Sequence, residues 1–200
     1  MNNKKILVIG DSCVDVFRYG EVNRLAPEAP IPIIIPQSET SNLGMAGNVV
    51  ANLESLGAEV DFITNKNQIK KIRYVCSKYN HLLLRVDEND ECERINLDLI
   101  DGNVHYDAIV ISDYCKGFLK EKDIENISTI FRPIPVFLDT KKILGGWAYN
   151  IDFIKINSQE FSNNESIINN STLLRSKIIV TRGNRGCDYK DTTYPTVDVP

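Results

Sequence analysis

The sequence predicts an α/β protein built on a mostly parallel sheet flanked by helices, with a small separate β-layer. Three observations lead there. Short, continuous runs rich in β-branched residues recur along the chain, as they do in strands buried on both faces of a parallel sheet. Helical stretches separate several of these runs, the alternation that marks βαβ units. Polar residues follow each run at once, where open α/β sheets gather their ligands.

The strand runs are 4–9, 108–112, 135–139, 153–157 and 177–181. The helices are 46–56, with Val49, Leu53 and Leu56 at helical spacing, 121–131, and a third within 158–175. The segment 17–43 holds four prolines around the piece IPIIIP. Proline cannot donate to a ladder, so this segment reads as an extended flap after the first strand rather than a sheet strand. KKIRYVC (70–76) and HLLLRVD (81–87), joined by SKYN, read as a hairpin. Together these two segments predict a small β-layer over the carboxyl edge of the main sheet.

Two hundred residues, 42% of them hydrophobic and 25% charged, suit one globular domain. A net charge of -4 argues against a nucleic-acid partner. No apolar run is long enough to span a membrane, and the run after Lys4 and Lys5 stops at Gly10-Asp11, as a buried strand would and a signal peptide would not. The five cysteines are scattered, odd in number and never in a CxxC pair, which argues against a disulfide framework or a zinc site. His81 and His105 stand in no metal-ligand spacing. A reducing, cytoplasmic setting is expected.

At the strand ends stand Gly10, Asp11 and Asp15; Asp113, Tyr114 and Lys116; Asp139, Thr140 and Lys141; Asn157 and Glu160; Thr181, Arg182 and Gly183. Five such ends in succession favour a polar, phosphate-bearing ligand. The loop GMAGN (44–48) has two readings from its residues alone. Small residues let a helix start pack tightly, and a glycine-rich turn into a helix also lets a ligand approach backbone N–H groups. NSQE (157–160) suits a helix cap as well as a phosphate site, and TRGNRG (181–186) suits a plain turn.

GDSCVD (10–15), GMAGN, NSQE as an NxxE motif and VTRGNRG (180–186) as TxGxxG resemble the ribokinase-like (PfkB) carbohydrate kinases. NRLAPEAPIPII (23–34), LLLRVDEND (82–90) and ISDYCKG (111–117) resemble the D-glycero-β-D-manno-heptose 7-phosphate kinase domain of ADP-heptose synthases. The resemblance implies ATP-dependent phosphorylation of a sugar phosphate, here the heptose 7-phosphate to its 1,7-bisphosphate. It implies a substrate site of Asp15, Gly44, Ala46, Gly47, Asn48, Asp113 and Lys116. It implies a nucleotide site of Asn157, Ser158, Gln159, Glu160, Thr181, Gly183 and Gly186, with ATP and Mg²⁺ as cofactors and Glu160 toward the metal. Segments 17–43 and 70–87 would be a β-lid that closes on the sugar and forms a homodimer contact.

The family's catalytic base and anion hole come from a Gly-Ala-Gly-Asp motif, and these 200 residues contain none. Residues 63–75 also join the lid hairpin through fewer residues than the family uses, and Thr140 stands where relatives have Pro. Residues 1–200 are therefore expected to be the N-terminal portion of a single kinase domain, C-terminally incomplete, with no catalytic residue assigned. The alternatives are an inactive sugar-phosphate-binding or dimerisation module, and a kinase for another sugar.

Overall fold

The computed structural model describes residues 4–190 and 192–197. The chain enters through β1 (Lys5–Gly10) and crosses directly into a second sheet through β2 (Ser12–Leu25) and β3 (Pro32–Met45). Helix α1 (Ala46–Ser55) and β4 (Glu59–Ile63) return it to the first sheet. The hairpin β5 (Ile69–Cys76) and β6 (His81–Glu88) completes the second. The chain then alternates through β7 (Ala108–Asp113), α2 (Glu121–Ile130), β8 (Val136–Thr140), β9 (Phe153–Asn157), α3 (Ser158–Asn169), α4 (Thr172–Arg175) and β10 (Ile178–Thr181). Two short strands follow, β11 (Cys187–Tyr189) and β12 (Thr192–Tyr194).

The main sheet has the order β12-β11-β10-β9-β8-β7-β1-β4. From β4 to β10 every pairing is parallel, so six strands end at one edge. β11 and β12 extend it antiparallel. The α/β architecture and all five expected strand runs are present within a residue or so. The smaller sheet, order β3-β2-β5-β6, contains the hairpin expected at 70–87.

The expected flap at 17–43 is corrected. It is most of a long antiparallel hairpin, β2 against β3, laddered into the smaller sheet with two register shifts. The prolines are accommodated by position. β3 is an edge strand, Pro32 is its first residue, and Pro36 sits where the register shifts beside Gly20. Pro27 and Pro30 lie in the turn between the strands. Each place tolerates a missing N–H.

One face of the main sheet carries the larger core. Leu7, Ile9, Ile109, Ile111, Leu138, Ile154 and Ile156 from the strands meet Ile124 and Ile127 of α2, Phe131 just past its end, and Ile168 of α3. The opposite face is covered at one end, where α1 sets Ala46 and Val50 on Val8. Farther along that face Phe137 stacks on Phe153 at 4.7 Å, with Tyr189 beyond, and Phe137 remains 37% exposed.

Asp123 ties the connection before α2 to the core. It accepts from Lys120 N at 2.9 Å, closing the first turn of α2, and from Arg94 Nε and Nη2 at 2.8 and 2.6 Å. Burial works to raise its pKa, but the Arg94 pair and the Lys120 N–H outweigh it and hold it below the ordinary carboxylate value. A depressed folded pKa gives stability that is present above the unfolded value, about 3.9, and is lost as pH falls through the folded value. Thermal unfolding followed from pH 6 down to pH 2 should therefore show a midpoint falling below about pH 4. Asp123→Asn should lower the midpoint at pH 6 and flatten that acid fall; an unchanged pH profile in the variant would refute the assignment.

Candidate functional site

The site begins where the two sheets meet. Asp11 is the single residue between β1 and β2, and it is buried. Its carboxylate accepts from the backbone N–H of Tyr114 and of Lys116, each at 2.7 Å, so it pins the loop after β7 to the end of β1. Burial raises its pKa against these two donors. Its carbonyl accepts from Ala46 N at 3.1 Å, which fixes the start of α1 at the same point.

Around that joint lie the expected sugar residues. Asp15 pairs with Arg73 of β5, and both side chains are about three-quarters buried. Gly44 faces Cys13 across the β2–β3 ladder, and a Cβ there would collide with the Asp15 carboxylate and the Cys13 sulfur. Its lack of a side chain is what leaves Asp15 room. Ala46 and Gly47 are buried in the first turn of α1, and Asn48 is exposed one residue on. Met45 holds the cap position of α1 at φ 56°, and it makes no side-chain cap bond. The backbone carbonyl of Asn48 accepts from Asn52 Nδ2, and the residue is exposed.

Asp113 and Lys116 are brought to the same edge with their heads already engaged. Asp113 has no exposed side-chain surface, accepts from Thr140 Oγ1 at 2.7 Å and pairs with Lys142 at 2.9 Å. Lys116 pairs with Asp90 at 2.5 Å. The first pairing ties the end of β7 to the loop after β8, and the second ties the loop after β7 to the loop after β6.

The expected nucleotide residues form a second group. Asn157 and Thr181 end adjacent parallel strands in direct register. Asn157 Oδ1 accepts from Glu160 N at 2.9 Å while Glu160 Oε2 accepts from Asn157 N at 2.7 Å, a reciprocal capping box on α3. Ser158 Oγ donates to Thr181 O at 3.4 Å, and Gln159 donates along the helix to Asn163. Gly183 and Gly186 take φ of 60° and 89°, and a Cβ on Gly186 would strike Tyr194 O. The capping box uses only one oxygen of Glu160. The other is compatible with Mg²⁺ held through water, since that ion keeps most of its hydration and takes few carboxylates. Among the described residues no group of three or more His, Cys, Asp or Glu is placed to cage a metal by itself.

The two groups stand on one sheet edge. β1 and β9 are three strands apart, roughly 14 Å at the usual strand spacing.

No family model matches the chain. It is 33% identical over 171 residues to the bifunctional protein HldE of a Nitratiruptor species, covering 68% of this chain and 36% of that protein. It is 29% identical over 186 residues to the bifunctional protein HldE of Bradyrhizobium diazoefficiens, covering 74% of this chain and 37% of that one. The chain thus spans little more than a third of the length of these relatives. The fold matches ribokinase from Thermotoga maritima with a TM-score of 0.61 at 13% identity, over 98% of this chain and 79% of that one. It matches phosphofructokinase-2 from Escherichia coli with a TM-score of 0.60 at 11% identity, over 100% of this chain and 79% of that one. The chain has the ribokinase-like fold and is related to the bifunctional HldE proteins over the stretch they share.

For this ribokinase-like chain, reading the sequence named Asp11 only as a strand-end residue and missed Arg73 and Lys71 as neighbours of Asp15. Arg73 and Lys71 lie in the hairpin read only for its strand pattern. Alternation along β5 would have placed them on one face with the apolar Ile69, but only the pairing with β2 puts that face against Asp15. Among the described residues, no helix is long and apolar enough to cross a membrane.

Proposed function

We propose that this chain provides the sugar-binding and part of the nucleotide-binding surface of a sugar-phosphate kinase. The substrate is D-glycero-D-manno-heptose 7-phosphate, and the product is the 1,7-bisphosphate. The observation that carries this is the placement of two polar groups on one edge: Asp15 with Gly44 on β2/β3 where they leave β1, and Asn157 with Thr181 at β9/β10. Sugar and ATP would then meet over the ends of β7 and β8. The relatives named bifunctional protein HldE and the ribokinase fold support the sugar kinase class. A Cryptococcus neoformans ribokinase of the same fold, TM-score 0.57, was solved in complex with ADP, which supports a nucleotide partner.

The chain's own residues bind and orient. Asp15 accepts from sugar hydroxyls, the amide of Asn48 donates and accepts, and the smaller sheet shields the sugar from water as a lid. Mg²⁺, held through water by Glu160, would neutralise charge between the phosphates. The carboxylates at the strand ends are engaged: Asp11 with backbone donors, Asp113 with Lys142 and Asp139 with Lys155. None stands free as the base for the hydroxyl proton. The proposal therefore includes residues outside these 200 as the source of that base. The same engagement favours a second reading, a sugar-phosphate-binding module without turnover. We also propose a cytoplasmic setting and a homodimer through the smaller sheet, whose strands expose Leu43, Leu82 and Leu84.

Calorimetric titration decides the main point. Heptose 7-phosphate should bind saturably to the chain, and ATP with Mg²⁺ should bind independently. Binding of neither ligand would refute the proposal. Sugar binding with no binding of ATP and Mg²⁺ would favour the binding-module reading.

A further inference from the structure

The carboxylates at the junction of the two sheets are nearly all taken. Asp15 holds Arg73, Asp87 holds Arg85 through two bonds of 2.7 and 2.8 Å, and Asp90 holds Lys116. Asp113 holds Lys142 and Asp139 holds Lys155. Two ammonium groups are left over. Among the described residues, Lys71 and Lys141 have no carboxylate within ion-pair distance. Both instead face one aromatic ring: Lys71 Nζ lies 5.8 Å and Lys141 Nζ 4.8 Å from the centre of Tyr114. Tyr114 is itself fixed by its backbone bond to Asp11.

A second observation concerns α1. Lys71 Nζ contacts Met45 Sδ at 3.4 Å, and Met45 is the residue that caps α1. That helix of ten residues has no side-chain cap bond and no acidic residue in its first turn. The amino end of a helix carries partial positive charge and unsatisfied N–H groups. Lys71 lies across from Asp87 and helps to hold that carboxyl low, but Asp87 is already held by the Arg85 guanidinium, so part of the positive charge beside the helix start is left over. Cation–π contact with one phenol offsets only part of this. An arriving anion would balance it.

The register says which ligand the anion belongs to. Lys71 is directly across from Asp15 on one side and Asp87 on the other, so it shares the sugar-facing side of the smaller sheet. The Asn157–Thr181 group is several strands away. We propose that Lys71 and Lys141, each against the Tyr114 ring and Lys71 also beside the amino end of α1, hold the phosphate group that the sugar substrate already carries. This rests on the sugar-phosphate kinase reading above and names the residues that select a phosphorylated sugar over a free one. The shared chemistry is a phosphate dianion, and the terminal phosphate of ATP is the competing source.

The test is calorimetry on the chain with four probes: heptose 7-phosphate, the unphosphorylated heptose, inorganic phosphate, and ATP with Mg²⁺. The variants are Lys71→Met and Lys141→Met. Lys70→Met is the control, because Lys70 loses the same charge from the opposite face of β5. The phosphorylated sugar should bind at least about tenfold more tightly than the free sugar, as a charge-assisted contact requires. Each site variant should lose about tenfold for the phosphorylated sugar and nothing for the free sugar, and Lys70→Met should match the parent. Raised salt should weaken the phosphorylated sugar selectively.

Equal binding of the two sugars, or full affinity in both site variants, overturns the inference and leaves the kinase reading intact. A loss confined to ATP overturns it too, by giving the lysines to the nucleotide. Lys71-dependent binding of inorganic phosphate with no sugar binding sustains the anion site and overturns the kinase reading. Binding of none of the probes overturns both.

Discussion

Replacing Gly10 by alanine should destabilise the whole chain strongly. Gly10 ends β1 in direct register with Ser112 of β7, and a Cβ there would drive into the Ser112 carbonyl and crowd Ala46 of α1. The obstacle is the backbone of a central strand, not the end of a flexible side chain. Relief would require β1 and β7 to part, which would break the parallel pairing that carries Leu7, Ile9, Ile109 and Ile111 into the core. Overpacking of a rigid interior costs about 1–3 kcal/mol, and a clash with backbone belongs at or above the top of that range. That is a large share of the 5–15 kcal/mol that holds a typical domain together. Urea unfolding should show a midpoint far below the parent's, or no cooperative transition at all. Gly146→Ala is the matched control, since nothing lies within 4 Å of a Cβ there. It should stay within about 0.5 kcal/mol of the parent, as surface changes do. A Gly10 variant with a parental midpoint would show that β1 and β7 do not approach as closely as described.

How much of this was legible depended on whether a residue's role was set locally. The strand at 153–157 could be read because five successive residues, FIKIN, state a buried strand by themselves. The capping geometry of NSQE was legible for the same reason, since a cap closes within four residues. The hairpin of β2 and β3 was not. Its prolines argue locally against a ladder, and only the edge position of β3 and the register shift beside Gly20 make them harmless. The C-terminal hairpin of β11 and β12 was hidden by brevity, three residues in each strand with no apolar run. In the site, Asp15 was readable as a polar residue after a strand. Its partner Arg73 was not, because 58 residues separate them and the contact exists only through the parallel pairing of β2 with β5. Lys71 and Lys141 were invisible as a pair for the same reason. What brings them together is the Tyr114 ring, which belongs to a third element.

Asp15→Asn should lower affinity for the sugar phosphate by about tenfold to a hundredfold, the range expected when a charged acceptor of hydroxyl bonds becomes a neutral one. The substitution keeps the shape of the side chain, so Gly44 still fits beside it. It removes the charge that Arg73 now balances, and both partners are about three-quarters buried, so the guanidinium is left partly desolvated and unpaired. Arg73 retains its contact with the Phe17 ring at 5.2 Å, which limits the structural response. The diagnostic feature is selectivity. The Asn157–Thr181 group is on strands well removed from β2, and its capping box shares no residue with Asp15. Affinity for ATP with Mg²⁺ should therefore change by less than twofold, in keeping with the near-independence of distant sites. Arg73→Met should weaken the sugar phosphate as well, by freeing Asp15 to turn away, and adding it to Asp15→Asn should cost little more, because the two residues act as one pair. Titrations of the two single variants and the double variant give the coupling directly. Unchanged sugar affinity in Asp15→Asn would remove Asp15 from the site, and with it the observation on which the sugar-binding edge rests. A parallel fall in sugar and nucleotide affinity with a lowered unfolding midpoint would show that the pair serves the fold rather than the ligand.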